Sequence, residues 1–401
     1  MSSPTSGLAP AAFRHDPVKN VLPAAAATAR RWDYEPVVAD YRMLTYHNRT
    51  LDRTVPVSVS ATPVLIAGVG LVVASDDGHV RLYSRDLSKV YWERRMDSSV
   101  YASPVLAPAD RHVVVAATSG LIACFDLRGG LVWSVKLGTP VFATPTLLPG
   151  AGVLVVSAFH SRCTGLDIRT GAIVFEQALP EPWHAAHGGS ASYRDPYAGP
   201  VGTAEGTAVV ACAEHILCLA PDGTELWRTE AGASVRATPA SLHATGEIAV
   251  CPVDGHCLFL DARTGAVRGE LDLGAKITGS PAVSGSVLAV GTQLDVTTGV
   301  DIHTRTPLWT APQGAPRSYT SLTVLPDGSF AATGERGNVV CLRAVDGRFL
   351  WESSQVLGLP DHETPMDVTP VAGGDGDMYC ASYTGVLYRF LFRPLPGESA
   401  P

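Results

Sequence analysis

A Ser/Thr-Pro motif recurs about every 41 residues along this chain, and this repeat limits the possible folds more than any other feature. The last motif residue is a proline at seven places and a leucine at one, giving anchor positions 63, 104, 145, 200, 239, 281, 322 and 370. The spacings between them are 41, 41, 55, 39, 42, 41 and 48 residues. Self-similarity at a fixed period of this size is typical of solenoids, propellers and related arrays.

Each repeat reads as four short β-strands. A short apolar strand follows the motif, and a second strand of small residues such as Leu71–Ser75 comes next. A turn such as Asp77–Gly78 then leads to an alternating strand such as Leu121–Phe125. A second turn, as in Asp261–Gly265, precedes a last strand that often carries tryptophan: Trp92, Trp133, Trp227, Trp309 and Trp351. Four strands per unit predict a propeller blade. The sequence therefore predicts an all-β fold, a single eight-bladed β-propeller with tryptophans packed between blades and almost no helix.

The eighth repeat ends on its third strand, Gly385–Phe390, so the ring needs a closing strand from elsewhere. We expect the N-terminal side to supply it, around Tyr41 to Arg53, because such closure leaves no open sheet edge. The predicted organisation is an irregular N-terminal tail at 1–40, the propeller at 41–392 and a C-terminal tail at 393–401.

Composition limits the possible partners. The net charge of −8 and the absence of Lys/Arg clusters argue against nucleic acid. There is no run of 18 apolar residues, and no apolar stretch follows a basic start, so we expect no membrane contact, no secretory signal and a cytoplasmic location. The eight cysteines fall on the second or third strand of their repeats, which predicts reduced, buried core thiols.

The Asp-x-x-Thr-Gly turns and the Ser/Thr-Pro motifs resemble the repeats of quinoprotein-type, or pyrroloquinoline-quinone-like, eight-bladed propellers over roughly residues 41–392. That family includes quinoprotein alcohol dehydrogenases and an outer-membrane assembly lipoprotein. Resemblance to the dehydrogenases implies a quinone, a calcium ion and an adjacent cysteine pair. The sequence has neither adjacent cysteines nor a Cys-x-x-Cys-His haem site, so we expect no cofactor. The lipoprotein's role implies export, which the N-terminal segment does not predict.

The position three residues before each anchor leads into the innermost strand, at one mouth of the central channel. It varies round the ring: Ser60, Tyr101, Phe142, Tyr197, Arg236, Thr278, Tyr319 and Asp367. Aromatic groups with one cation and one anion in a small ring are suited to binding a small ligand. We predict a substrate-binding set of Tyr101, Phe142, Trp183, Tyr197, Arg236 and Tyr319. A solvated rim of ordinary variety is the alternative.

Two repeats carry insertions, Pro180–Pro196 and Gly358–Asp367, which we expect to roof this mouth from opposite sides. They contain the predicted catalytic residues His184, His187, His362, Glu363 and Asp367. A histidine can exchange protons near neutral pH, and a carboxylate can orient it. Two alternatives stay open: His184 and His187 bind a metal with Asp361 or Glu363, or the loops are solvated and have no role.

Three functions fit this pattern. The first is a cofactor-independent enzyme, a cyclase, lyase, isomerase or hydrolase, that uses acid–base chemistry on a partly aromatic metabolite at the channel mouth. The second is a non-catalytic scaffold for a protein partner, and the third is a sensor that binds the same small-molecule ligand without reacting. An enclosed pocket favours the first or third, whereas an open, water-filled channel favours the second.

Overall fold

A computed structural model describes residues 21–22, 36–43, 45–48, 52–107, 111–148, 150–186, 194–293, 296–312, 320–334, 337–353, 366, 368–373 and 377–392. Within these ranges the strands form eight sheets of at least four strands and one separate hairpin. One short helix, α1 (Trp183–Ala186), is present. No helix in the described ranges is long and apolar enough to cross a membrane. The predicted all-β, eight-bladed propeller is confirmed.

The strands of each blade are lettered a to d from the channel outward. Before the first blade lie β1 (Val21–Leu22), β2 (Pro36–Met43), β3 (Thr45–Asn48) and β4 (Arg53–Pro56). Blade 1 has β5 (Val64–Ile66), β6 (Gly70–Ala74), β7 (His79–Ser84) and β8 (Val90–Arg95). Blade 2 has β9 (Val105–Ala107), β10 (His112–Ala116), β11 (Leu121–Asp126) and β12 (Leu131–Lys136). Blade 3 has β13 (Thr146–Leu148), β14 (Val153–Ala158), β15 (Arg162–Asp167) and β16 (Ile173–Ala178). Blade 4 has β17 (Val201–Gly202), β18 (Ala208–Cys212), β19 (His215–Leu219) and β20 (Glu225–Glu230).

The second half repeats this order. Blade 5 has β21 (Ala240–Leu242), β22 (Glu247–Val250), β23 (His256–Asp261) and β24 (Val267–Asp272). Blade 6 has β25 (Ala282–Ser284), β26 (Val287–Thr292), β27 (Val296–Asp301) and β28 (Thr306–Ala311). Blade 7 has β29 (Thr323–Val324), β30 (Phe330–Thr333), β31 (Val339–Leu342) and β32 (Phe349–Glu352). Blade 8 has β33 (Val371–Ala372), β34 (Asp377–Ala381) and β35 (Val386–Phe392), with β2 as its strand d.

The ring closes as predicted, but the closing strand lies earlier than expected. Pro36–Met43 pairs antiparallel with β35, whereas the expected segment was Tyr41 to Arg53. The long strand β35 takes a partner of similar length, which reaches back to Pro36. Most of the expected segment forms a separate hairpin instead, in which β3 pairs with β4.

Aromatic residues of strand d join neighbouring blades. The indole N–H of Trp92 donates to the carbonyl of Leu127 in blade 2 at 2.9 Å, and its ring lies on Gly129. A Cβ at Gly129 would come within 2.8 Å of that ring, so only glycine fits there. The same ring-on-glycine contact recurs in four further pairs: Trp133 on Gly171, Phe175 on Gly223, Trp227 on Gly265 and Trp309 on Gly347. The predicted packing role is confirmed for Trp92, Trp133, Trp227 and Trp309.

Two seams, as we call the contacts between neighbouring blades, contain an ion pair. At the tryptophan register, blade 5 has Gly269, which lies opposite Phe259. Arg305 of blade 6 fills the space over Gly269 and pairs with Glu247, which is 5% exposed. The first strand-b residue of blade 8, Asp377, is fully buried and pairs with Arg85 of blade 1 and with Arg389. These acids occupy the same register, because each is the first residue of strand b.

The Ser/Thr of the repeated motif forms an inner ring of hydrogen bonds. The backbone N–H of Thr62 donates to Ser103 Oγ at 3.1 Å, and that of Ser103 donates to Thr144 Oγ1 at 3.0 Å. Four more such bonds run from Gly199 to Thr238, Thr238 to Ser280, Ser280 to Ser321 and Ser321 to Thr369. This bond explains the hydroxyl residue before seven of the eight anchors, because that side chain can accept a bond from the preceding blade; Gly199 stands in this position at the eighth.

Candidate functional site

A cavity of about 380 Å³ opens where the inner strands begin, at the mouth of the central channel. Its lining includes six of the residues that stand three positions before an anchor: Ser60, Tyr101, Phe142, Tyr197, Arg236 and Thr278. Hydroxyl residues of the inner ring, among them Thr238, Ser280 and Ser321, also line it. The two other members of the predicted ring, Tyr319 and Asp367, lie outside the described residues.

Aromatic rings form a continuous stack along one wall. The ring centroids of Tyr101 and Phe142 are 5.2 Å apart with planes at 17°, and those of Phe142 and Phe159 are 4.6 Å apart at 6°. Phe159 then meets Tyr197 at 5.6 Å and 46°. These residues come from blades 2 and 3 and from the segment that enters blade 4, so the fold brings them together. Of these rings, Tyr101, Phe142 and Tyr197 line the cavity and give this side of it an apolar aromatic surface.

The guanidinium of Arg236 ends this stack. Its central carbon lies 4.9 Å from the centroid of the Tyr197 ring, which is cation–π distance. Arg236 lines the cavity and is half-buried. Among the described residues, no carboxylate lies within ion-pair distance of this guanidinium. Guanidinium groups are the usual donors to carboxylate and phosphate groups in proteins.

Another part of the lining is polar and neutral. Ser60 Oγ donates to Asp76 Oδ2 at 2.8 Å, and Gln293 Nε2 donates to Thr278 Oγ1 at 3.4 Å. Burial raises the pKa of Asp76, while its hydrogen bonds from Ser60 act in the opposite direction. The cavity thus combines an aromatic wall, a cationic end and hydroxyl groups.

Asp195 is a buried carboxyl group close to this cationic end. It is 4% exposed, and burial raises its pKa, although the positive charges of Arg236 and His184 oppose that rise. Its Oδ2 lies 3.8 Å from His184 Nε2, while its Oδ1 has no hydrogen-bond partner among the described residues. Among the described residues, Asp195, which belongs to the same insertion as His184, therefore lies near this histidine.

The other predicted site residues are placed less centrally. Trp183 begins α1 with a 64% exposed side chain and is not part of the cavity lining; its backbone N–H donates to Glu214 Oε1 at 2.6 Å. His187, His362 and Glu363 lie outside the described residues, as does Asp361 of the metal alternative. The described residues contain no group of three His, Cys, Asp or Glu side chains that could hold a metal ion. The roles predicted for all these residues stay predictions.

Sequence reasoning missed three residues at or near the cavity. Phe159 and Tyr383 each begin the turn between strands b and c, a register that Asp76 also occupies. Comparing that register round the ring, as was done for the residues before the anchors, would have revealed both aromatic side chains. Asp195 has no such signal, because it lies in an insertion that no other repeat shares.

Comparison with known proteins identifies the family. A family model described as outer membrane protein assembly factor BamB matches residues 30–216 and 212–390. The chain belongs to this family. One curated BamB, from Burkholderia pseudomallei (strain K96243), is 24% identical over 204 residues, which are 47% of this chain. The match covers 52% of that protein, so the chain spans about half the length of this BamB relative.

Solved structures similar to this BamB-family chain share its fold. BamB from Moraxella catarrhalis has a TM-score of 0.68 at 16% identity, covering 88% of this chain and 100% of that one. The quinohemoprotein alcohol dehydrogenase from Comamonas testosteroni has a TM-score of 0.67 at 13% identity, covering 99% of this chain and 83% of that one. The predicted resemblance to quinoprotein-type propellers is confirmed, and at such low identity these structures indicate the fold alone.

Proposed function

We propose that this propeller binds a small planar molecule with an anionic group in the cavity at the channel mouth. The observation that carries the proposal is the stack Tyr101–Phe142–Phe159–Tyr197, which ends on the guanidinium of Arg236. The ligand would pack against the lining rings Tyr101, Phe142 and Tyr197, and Arg236 would hold its charge. The hydroxyl groups of the lining would bind further polar atoms.

A binding titration tests this proposal. Benzoate, naphthoate and phenyl phosphate are titrated into the wild-type protein by calorimetry, with thermal shift as a second measure. We expect Arg236→Ala to weaken binding of the best ligand about tenfold or more, because a hydrogen bond to a charged group contributes about 1.5–3 kcal/mol. Phe142→Ala should also weaken it, through lost stacking.

Arg228→Ala is the matched control, because Arg228 is a half-exposed arginine on strand d of blade 4 that pairs with Glu225 away from the cavity. It should bind as the wild type does. If no planar anion binds the wild type, or if Arg236→Ala binds as tightly as Arg228→Ala, the proposal is wrong.

Acid–base chemistry on the bound ligand is the catalytic extension of this proposal. Among the described residues, His184 and Asp195 would exchange the proton, with His187, His362, Glu363 and Asp367 as the further candidates from the sequence. The test is turnover of the best ligand by wild type and by His184→Ala, followed by mass spectrometry. Cytoplasmic residence is also proposed; eight buried cysteines, none of them in a disulfide, fit a reducing compartment.

A protein scaffold is the second candidate function. Apolar side chains near the start of strand d are exposed on six consecutive blades: Tyr91, Leu131, Val132, Ile173, Val174, Leu226, Val267 and Leu308. The matching family model and the relative from Burkholderia pseudomallei are both described as outer membrane protein assembly factors. If this belt binds a partner, Leu131→Asp with Ile173→Asp should abolish co-purification of that partner, and Arg236→Ala should retain it.

A further inference from the structure

The innermost strand of blade 6 has a second partner. β1 pairs with β25 in parallel, with Val21 opposite Val283 and Leu22 opposite Ser284. In the described parts of the other seven blades, strand a pairs only with strand b and leaves its other edge open. Such an edge presents unpaired N–H and C=O groups, which can accept a further extended strand.

This pairing places β1 inside the central channel. β26 occupies the outer side of β25, so β1 lies on the side that faces the channel axis. β1 also contacts β21, the innermost strand of blade 5. The channel therefore contains a short segment of the chain's own N-terminal part, along the inner edges of two adjacent blades.

The position of β1 along the channel relates it to the cavity. Thr278 and Ser280 line the cavity, and the pairing with β1 begins three residues after Ser280, at Val283. β25 runs from the cavity mouth into the channel, and β1 runs parallel to it. β1 therefore lies directly below the cavity, on the side away from the mouth.

We infer that the channel is a binding site for one extended strand and that Val21–Leu22 fill it, so that the cavity is a cup closed at its base. The same N-terminal part of the chain also supplies β2, the strand that closes blade 8. The placement of β1 in the channel rests on its pairing with β25 alone. Its effect on ligand affinity rests on the proposed function.

Hydrogen–deuterium exchange on the full-length protein tests the placement. Proline has no backbone N–H and a fixed φ, so Val21→Pro with Leu22→Pro should remove β1 from the edge of β25. We expect the channel-facing amide exchange of Ala282–Ser284 to become about tenfold faster or more, on the scale set by local opening. The equivalent strand of blade 2, Val105–Ala107, should not change. Ala11→Pro with Ala12→Pro, placed outside β1, is the matched control and should exchange as the wild type does.

A comparison within the wild-type protein keeps the test decisive if the proline variant does not fold. Ala282–Ser284 should exchange more slowly than Val105–Ala107, because the edge of β9 is open and that of β25 is covered. Equal exchange of the two strands in the wild type would overturn the inference, as would unchanged exchange of β25 in a folded Val21→Pro, Leu22→Pro variant.

Naphthoate serves as the probe of the cup. If it binds the wild type, it should dissociate faster from the folded Val21→Pro, Leu22→Pro variant, because the base of the cavity is then open. An unchanged dissociation rate would overturn the closed cup. If naphthoate and the other planar anions do not bind the wild type, the proposed function fails, whereas the exchange comparison still decides whether β1 fills the channel.

Discussion

Single residues set the charge balance at the cationic end of the cavity. Arg236 lines the cavity, and its positive charge reaches the buried carboxyl group of Asp195. Burial nevertheless dominates, so the pKa of Asp195 is raised in the folded protein. A buried carboxyl group with a raised pKa lowers the stability of the folded protein when it is ionised. Such groups are more common at functional sites than in the hydrophobic core.

Replacing Asp195 should reveal this cost. The folded state binds the proton of Asp195 more tightly than the unfolded chain does, so the free energy of unfolding falls as pH rises from the ordinary carboxyl pKa toward the raised one. Asp195→Asn is neutral at every pH. We expect it to be more stable than the wild type at neutral pH, with the difference disappearing at acidic pH. Urea unfolding across the pH range measures this.

Asp222→Asn is the control with the opposite sign. Hydrogen bonds from Thr224 lower the pKa of Asp222, so its carboxylate contributes stability above the ordinary carboxyl pKa, and the contribution is lost on acidification. The asparagine variant should lose that contribution at neutral pH. An Asp195→Asn variant less stable than the wild type at neutral pH would mean that attraction to Arg236 and His184 outweighs burial.

At the scale of elements, neighbouring blades contact each other in one of two ways, through an aromatic ring on a glycine or through a buried ion pair. Most seams put an aromatic ring of strand d on a glycine of the following blade, as Trp227 does on Gly265. Between blades 5 and 6 the large and the small residue change places. Gly269 stands where the other blades have the aromatic ring, and Arg305, at φ 59°, stands in the turn where the other blades have the glycine. The arginine then brings its charge to Glu247. In this seam a large side chain still fills the space over a glycine, but the contact now includes an ion pair.

Removing the charged partner of this seam should be costly. Arg305→Ala leaves Glu247 buried without its partner, and loss of one member of a buried pair costs about 3–5 kcal/mol. Because Arg305 is 31% exposed in its side chain, we expect a loss near 3 kcal/mol at the low end of that range. Arg263→Ala, in the corresponding turn of blade 5, is exposed and should change stability by less than about 0.5 kcal/mol. Similar urea midpoints for both variants would contradict a structural role of the pair.

At the scale of the whole molecule, blade 8 joins the two ends of the chain. Its strand d is β2, while its other strands come from the C-terminal part. Asp377 lies at the seam between this blade and blade 1, where Arg85 Nε donates to its Oδ2 at 2.9 Å. The ring therefore closes through both backbone pairing and a buried ion pair.

The cysteines should report the integrity of the ring. All eight are buried and none is in a disulfide, and burial raises the pKa of Cys124, Cys163 and Cys212 to about 12. Since the thiolate is the reactive form, we expect no rapid reaction with a thiol reagent in the native protein and reaction of all eight thiols in urea. Ala266→Cys, at an exposed turn, should add one rapidly reacting thiol. A wild-type thiol that reacts as fast as the one added by this substitution would contradict the buried placement.

The sequence alone determined the blade number, the strand order and the packing role of the strand-d aromatics. These follow from a repeat in which each contact recurs at a nearly constant separation along the chain, so one unit describes most of the others. The same regularity placed Tyr101, Phe142, Tyr197 and Arg236 at a common register, and the structure puts that register at the cavity. What those residues do there stays a prediction.

Only the tertiary structure decided the features that break the repeat. In the described parts of the chain, the contact of Phe159 with Tyr197, the approach of Asp195 to His184 and the entry of β1 into the channel have no counterpart in the other units. The Glu247–Arg305 pair recurs in one other place, as Asp377 with Arg85. The closing strand began at Pro36 for the same reason, since the repeat pattern does not extend to the N-terminal part. In a repeat, each contact joins residues at one nearly fixed separation along the chain. Insertions and chain ends contact residues at other separations, which are set only when the ring closes, so the period of the repeat cannot predict those contacts.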